Sequence, residues 1–104
     1  MKKYQKAVDK FVQSFDEPYW PPLSQFARLA EEVGEVGRLL NHMYGSKPKK
    51  KDEAAQELGQ EIADVLFTLI CLANSHSIDL DVEMEKVISK SKKRDKDRFT
   101  KKKF

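Results

Sequence analysis

The sequence predicts an all-α protein, and three features carry that expectation. Apolar residues recur at helical spacing along most of the chain. No stretch shows the apolar–polar alternation of a half-buried strand, and neither an internal repeat nor a Gly-rich phosphate loop is present. Charged residues make up 36% and apolar ones 39% of 104 residues, which suits one helix-rich domain rather than a disordered chain.

The elements follow in order. Tyr4, Ala7, Val8, Phe11, Val12 and Phe15 repeat at i, i+3/i+4, i+7 and predict a first helix over residues 1–15. Pro18, Pro21 and Pro22 remove backbone donors and fix φ, so the helix cannot pass through residues 16–22. Tyr19 and Trp20 are therefore held on a stiff loop. They either plug a helix junction or offer a nucleobase a stacking shelf. A second helix is expected from about Leu23 to Tyr44, stopped by Gly45. Gly34 and Gly37 inside it would each cost about 1 kcal/mol relative to Ala, which a closely approaching helix or ligand would explain. A basic loop, Ser46-Lys-Pro-Lys-Lys-Lys51, precedes a third helix expected over 53–75 with Asp52 as N-cap. Asp79 is expected to cap a fourth, with Val82, Val87 and Ile88 facing inward, that dissolves into a basic tail near Arg98.

Carboxylates dominate the second and third helices. At 100° per residue Glu32 and Glu35 share one face, and Glu61 and Asp64 another, with Glu31 and Glu57 a turn upstream of Glu35 and Glu61. Like charges at this spacing weaken an isolated helix by about 0.2–0.5 kcal/mol per pair. From Ile62 to Ala73 the third helix is apolar on nearly every side, which predicts burial around Asp64. Carboxylates on an interior face must be paired or metal-bound. Two such faces meeting across an antiparallel helix pair would form an all-oxygen pocket for Mg²⁺ or Mn²⁺.

Other chemistries fit less well. His42 and His76 each lack a Glu three residues upstream, so a di-iron Glu-x-x-His site is excluded. One cysteine and two scattered histidines make no soft zinc site. Cys71, without a base at a recognisable spacing, reads as packing and excludes an intrachain disulfide, which fits a reducing, cytoplasmic setting. Thr68 and Asn74, near the acidic stripe, either line the pocket or satisfy backbone groups. No run approaches the roughly 18 apolar residues of a membrane span.

The pair of motifs Glu31-Glu32-Val-Gly-Glu35 and Glu61-Ile-Ala-Asp64 resembles the signature of the MazG-like nucleoside triphosphate pyrophosphohydrolases, in the all-α NTP pyrophosphatase superfamily. The similarity runs over roughly residues 20–100 and reaches Asp95-Lys-Asp-Arg98-Phe99, where such proteins often carry Asn-x-x-Arg-aromatic; Asp95 departs from that pattern. The resemblance implies one MazG-like domain over residues 1–104 with a basic, partly mobile tail from about residue 95. It implies a four-helix subunit whose bundle is completed by dimerisation or tetramerisation, and hydrolysis of a (deoxy)nucleoside triphosphate to monophosphate and pyrophosphate in nucleotide-pool housecleaning. Glu32, Glu35, Glu61 and Asp64 are then the expected ligands of Mg²⁺, with Mn²⁺ as the alternative. Glu31 or Glu35 would activate water, while Trp20, Lys90, Lys93, Asp95 and Arg98 would bind substrate.

Charge leaves a rival open. Residues 86–104 hold ten Lys/Arg against two Asp, about +8, while the rest of the chain is about −5. A non-enzymatic helical oligomer could use that tail on nucleic acid or a protein partner. Asp64 within an apolar run and the matched spacing of the two carboxylate pairs favour the enzyme, so nucleic acid is not the expected partner.

Overall fold

The computed structural model describes residues 1–45 and 51–96, with the backbone alone described for 51–56. It contains four helices: α1 (Lys2–Val12), α2 (Pro22–Tyr44), α3 (Lys51–Ser75) and α4 (Leu80–Arg94). No strand occurs among the described residues. The basic loop 46–50, the side chain of Asp52 and the tail from residue 97, Arg98 and Phe99 included, lie outside them.

α1 ends at Val12, earlier than its apolar pattern suggests, because Ser14 and Phe15 turn back to hydrogen-bond the carbonyls of Phe11 and Val12, each at 3.1 Å. Of its apolar stripe only Val8 and Val12 are buried; they pack with Ile70 of α3, with Tyr19, Cys71 and Leu80 closing the cluster. Pro22 opens α2 at the position where a missing N–H costs nothing. Gly45 ends it in an extended conformation, φ −84°, not the left-handed one usual for a glycine stop. A glycine is still required there, since a Cβ would collide with the Asn41 carbonyl. Gly34 and Gly37 meet nothing within 4 Å of an added Cβ, so no close approach among the described residues explains them.

α3 stops in a paired hydrogen-bond cap. Ile78 N–H reaches the Ala73 carbonyl at 2.9 Å and Ser77 N–H the Asn74 carbonyl at 3.1 Å, with Ser77 at φ 55°. The chain then turns through 110° into α4. Asp79 caps α4 as expected, its Oδ1 accepting from the Asp81 and Val82 amides at 3.0 and 3.3 Å. Gln5 fastens this corner to α1. Its Nε2 donates to the Ile78 carbonyl and to Asn74 Oδ1, and its Oε1 accepts from Leu80 N–H. Asn74 thus satisfies polar groups of α1 and does not line the acidic stripe. The N-terminal ammonium lies 3.0 Å from Asp81 and, with the Lys2 amide, holds that carboxyl below the usual range.

Beyond its first turn α4 stands away from the other helices. None of its residues is buried, and the expected inward positions Val82, Val87 and Ile88 are 44%, 48% and 47% exposed. α3 is likewise not covered on every side, because Ile62, Leu66, Phe67 and Leu69 are exposed. The reason is geometric: α1 and α2 reach only part of α3, and α4 folds away from it. The radius of gyration, 17.4 Å, exceeds the roughly 13 Å of a closed domain of this length.

Candidate active site

α2 and α3 form the principal helix contact of the chain, and their facing carboxylates come together. Glu32 from α2 with Glu61 and Asp64 from α3 each offer an oxygen within 4.8 Å of the others. A divalent ion binds carboxylate oxygens at about 2.0–2.6 Å, so oxygens sharing one lie no more than about 5 Å apart. The three side chains fit that requirement, and their hard oxygen donors suit Mg²⁺ or Mn²⁺ in type.

The members differ in setting. Glu32 is only 9% exposed, held by Arg28 one turn upstream with Nε 2.9 Å from Oε1. Glu61 is half-buried. Desolvation first, then the charges of Asp64, Glu35 and Glu32, lift its carboxyl above the usual range, while Arg38 opposes them. Asp64 is exposed, which corrects the expectation of burial within the Ile62–Ala73 run: its flank of α3 borders an open cleft rather than another helix.

Glu35 stands next to this group without joining it. Arg38 donates to its Oε2 from Nε at 3.1 Å and from Nη2 at 2.8 Å, yet its charge still reaches Glu61. Glu31 points elsewhere, its side chain 71% exposed with Arg28 Nη1 at 3.9 Å. Glu57 is half-buried one turn before Glu61.

The cleft, about 570 Å³, is lined by Glu32 and Asp64, by Arg28 and Gln25, and by the aromatic side chains of Phe11, Phe15, Tyr19, Trp20 and Phe67. Tyr19 and Trp20 divide the two roles open to them. Tyr19 packs on the core and hydrogen-bonds Asp9, and burial followed by that bond pushes its pKa to about 12. Trp20 is 55% exposed and lines the cleft. Gln25, 5% exposed, donates through Nε2 to the Trp20 carbonyl at 2.7 Å and to Ser75 Oγ at 3.3 Å, which fixes the loop over α2. Its Oε1 has no hydrogen-bond partner among the described residues. Thr68 donates to the Asp64 carbonyl at 3.0 Å, so it serves backbone. Burial raises the Cys71 thiol, which keeps it in the inert protonated form expected of packing.

Lys90 and Lys93 are exposed on α4 and do not line this cleft. Asp95 caps the end of α4 and accepts two bonds from Arg94, at 3.0 and 2.9 Å. Two residues of the cleft escaped sequence reasoning. Arg28 and Gln25 lie four and seven residues before Glu32, on the same helix face as it or close to it, and that helical spacing was the available signal.

The family described as the MazG nucleotide pyrophosphohydrolase domain matches residues 21–99. The uncharacterised protein YpjD of Bacillus subtilis (strain 168) is 49% identical over 102 residues, 98% of this chain and 92% of that protein. The crystal structure of the Bacillus-conserved MazG protein, a nucleotide pyrophosphohydrolase, superposes with a TM-score of 0.75 at 42% identity, covering 86% of this chain and 85% of that one. The crystal structure of YPJD from Bacillus subtilis gives 0.78 at 47% identity, covering 86% and 91%.

Proposed function

The chain belongs to the MazG nucleotide pyrophosphohydrolase family, and from that membership we propose that it hydrolyses (d)NTP to (d)NMP and pyrophosphate in clearing the nucleotide pool. The observation that carries this reading is the convergence of Glu32, Glu61 and Asp64, the first and last of which line a cleft that aromatic side chains also line. A phosphate chain with its cation belongs at the carboxylates and a nucleobase against the aromatic side chains.

Glu32, Glu61 and Asp64 would hold Mg²⁺, or Mn²⁺ in its place, with Glu35 completing the set through the oxygen that Arg38 does not hold. Such an ion would supply charge neutralisation at the phosphates and a lowered pKa for the attacking water. Between Glu31 and Glu35, Glu35 is the better placed to orient that water and take its proton, being close enough to perturb Glu61. Arg38 keeps the Glu35 carboxylate aimed through its paired donors. Trp20 would stack on the base, a contact worth about 1–3 kcal/mol.

The exposed apolar residues of α3 and α4 support a homodimer or homotetramer, since one chain leaves Leu66, Leu69, Val87 and Ile88 open to water. In such an assembly Lys90, Lys93, Asp95 and Arg98 would serve the cleft of a neighbouring subunit. The test is pyrophosphate release over a panel of canonical and modified triphosphates with Mg²⁺ and Mn²⁺. Turnover that vanishes in Asp64→Asn while the fold persists supports the proposal, and full turnover in that variant removes it.

A further inference from the structure

Arg28 is the one basic side chain among the described residues that line the cleft. It sits at i−4 from Glu32, so a rise of 1.5 Å per residue places it about 6 Å along α2 from that carboxylate, toward Trp20. Along the helix the order is therefore aromatic residue, buried amide, guanidinium, carboxylate cluster. The side chain is anchored at one edge only. Nε lies 2.9 Å from Glu32 Oε1, Nη1 reaches no nearer than 3.9 Å to Glu31, and Nη2 has no ion pair among the described residues. At 52% exposure its outer donors remain open to a ligand.

A guanidinium held on one side by a carboxylate is pre-ordered for a second anion, and its fork of parallel N–H groups matches phosphate oxygens. We propose that Arg28 binds a phosphate group of the nucleotide directly, anchored in place by Glu32. This rests on the function proposed above and adds to it a phosphate ligand from the same chain as the carboxylates. Glu32 then has two duties, holding the arginine and offering an oxygen to the group it forms with Glu61 and Asp64.

The alternative role is indirect: Arg28 would only orient Glu32, without touching substrate. Calorimetry separates the two. Mn²⁺ alone is titrated into the parent, Arg28→Met and Arg28→Lys proteins, then α,β-methylene analogues of the four common deoxynucleoside triphosphates at saturating Mn²⁺. Direct contact predicts that Arg28→Met weakens the analogues about 10- to 100-fold. Affinity for Mn²⁺ alone should stay the same or tighten a few-fold, because a competing cation has gone, and Arg28→Lys should recover part of the analogue affinity. Unchanged analogue binding in Arg28→Met overturns the inference, as does a parallel loss of Mn²⁺ affinity, which would mean action through Glu32. A parent that binds no analogue also overturns it. If the analogue binds through Arg28 while no triphosphate is hydrolysed, the inference stands and the proposed function fails.

Discussion

Replacing Glu61 with Gln should have opposite effects with and without a divalent ion. Glu61 has its carboxyl raised by desolvation and by Asp64, Glu35 and Glu32. A raised carboxyl pKa means that its share of stability is full below the unfolded-state value and is lost as pH rises through the folded-state value. At neutral pH the charged form is thus a burden on the fold, and Glu61→Gln should raise the melting temperature in chelator. With Mg²⁺ or Mn²⁺ the balance reverses. At a hundredfold excess over Kd, binding stabilises by about 2.7 kcal/mol, which raises Tm by about 10 to 20 °C in a domain near 100 residues. Three oxygens within 4.8 Å form the set, so losing one should weaken affinity at least ~100-fold. At the same ion concentration about 0.4 kcal/mol of linkage then survives, a rise of about 2 to 3 °C. Thermal melting by circular dichroism in chelator and in each ion reads both effects. A variant that melts lower than the parent in chelator, or keeps the full ion response, refutes the reasoning.

Trp20→Ala should weaken base-bearing nucleotides by about 1–3 kcal/mol while leaving inorganic pyrophosphate inhibition unchanged, as measured by competition in the release assay. Because Trp20 is the single tryptophan, quenching of the parent's fluorescence by nucleotide reports the same contact directly. Ser77 holds φ 55°, where an L-residue costs about 1–2 kcal/mol. Ser77→Gly should therefore add about 0.5–1 kcal/mol in urea unfolding, after the unfolded-state entropy of glycine is offset, and Ser77→Val should lose stability. Tyr19, at about 12, should ionise well above the ordinary tyrosine value of about 10, a late step in an alkaline absorbance titration that Tyr19→Phe removes. Its contribution is complete below pH 10 and should fall away between about pH 10 and 12, a decline absent in Tyr19→Phe.

The helices were legible because local rules set them. Proline at 18, 21 and 22 separates α1 from α2, and Asp79 caps α4 through its own side chain. The pairing of Glu32 with Glu61 and Asp64 was legible too, since α-helical spacing puts each set on one face and α2 packs against α3. What could not be read depends on distant neighbours. Composition alone made Ile62–Ala73 look enclosed, but enclosure requires a partner on each flank, and α4 turns away at the Ser77 corner. That corner is held by Gln5, a polar residue 69 to 75 positions away from the groups it binds, with no periodic signal to mark it.

The same distinction explains why the chain carries an acidic cleft and a basic last helix that do not meet. Arg28 and Arg38 are too few to balance Glu32, Glu35, Glu61 and Asp64 together with a polyphosphate, even after a divalent ion is counted. α4 holds Lys86, Lys90, Lys92, Lys93 and Arg94 on a helix with no buried residue and with Val82, Val87 and Ile88 half-open. In the homo-oligomer proposed above those two deficits would have a common remedy: burying the apolar side of α4 on another copy's helices would bring its cations toward a cleft short of them. Charge and apolar burial then act on the same contact, so salt should weaken nucleotide binding more than it weakens association, the Coulomb part being screened within about 10 Å at 0.1 M while the apolar part is not.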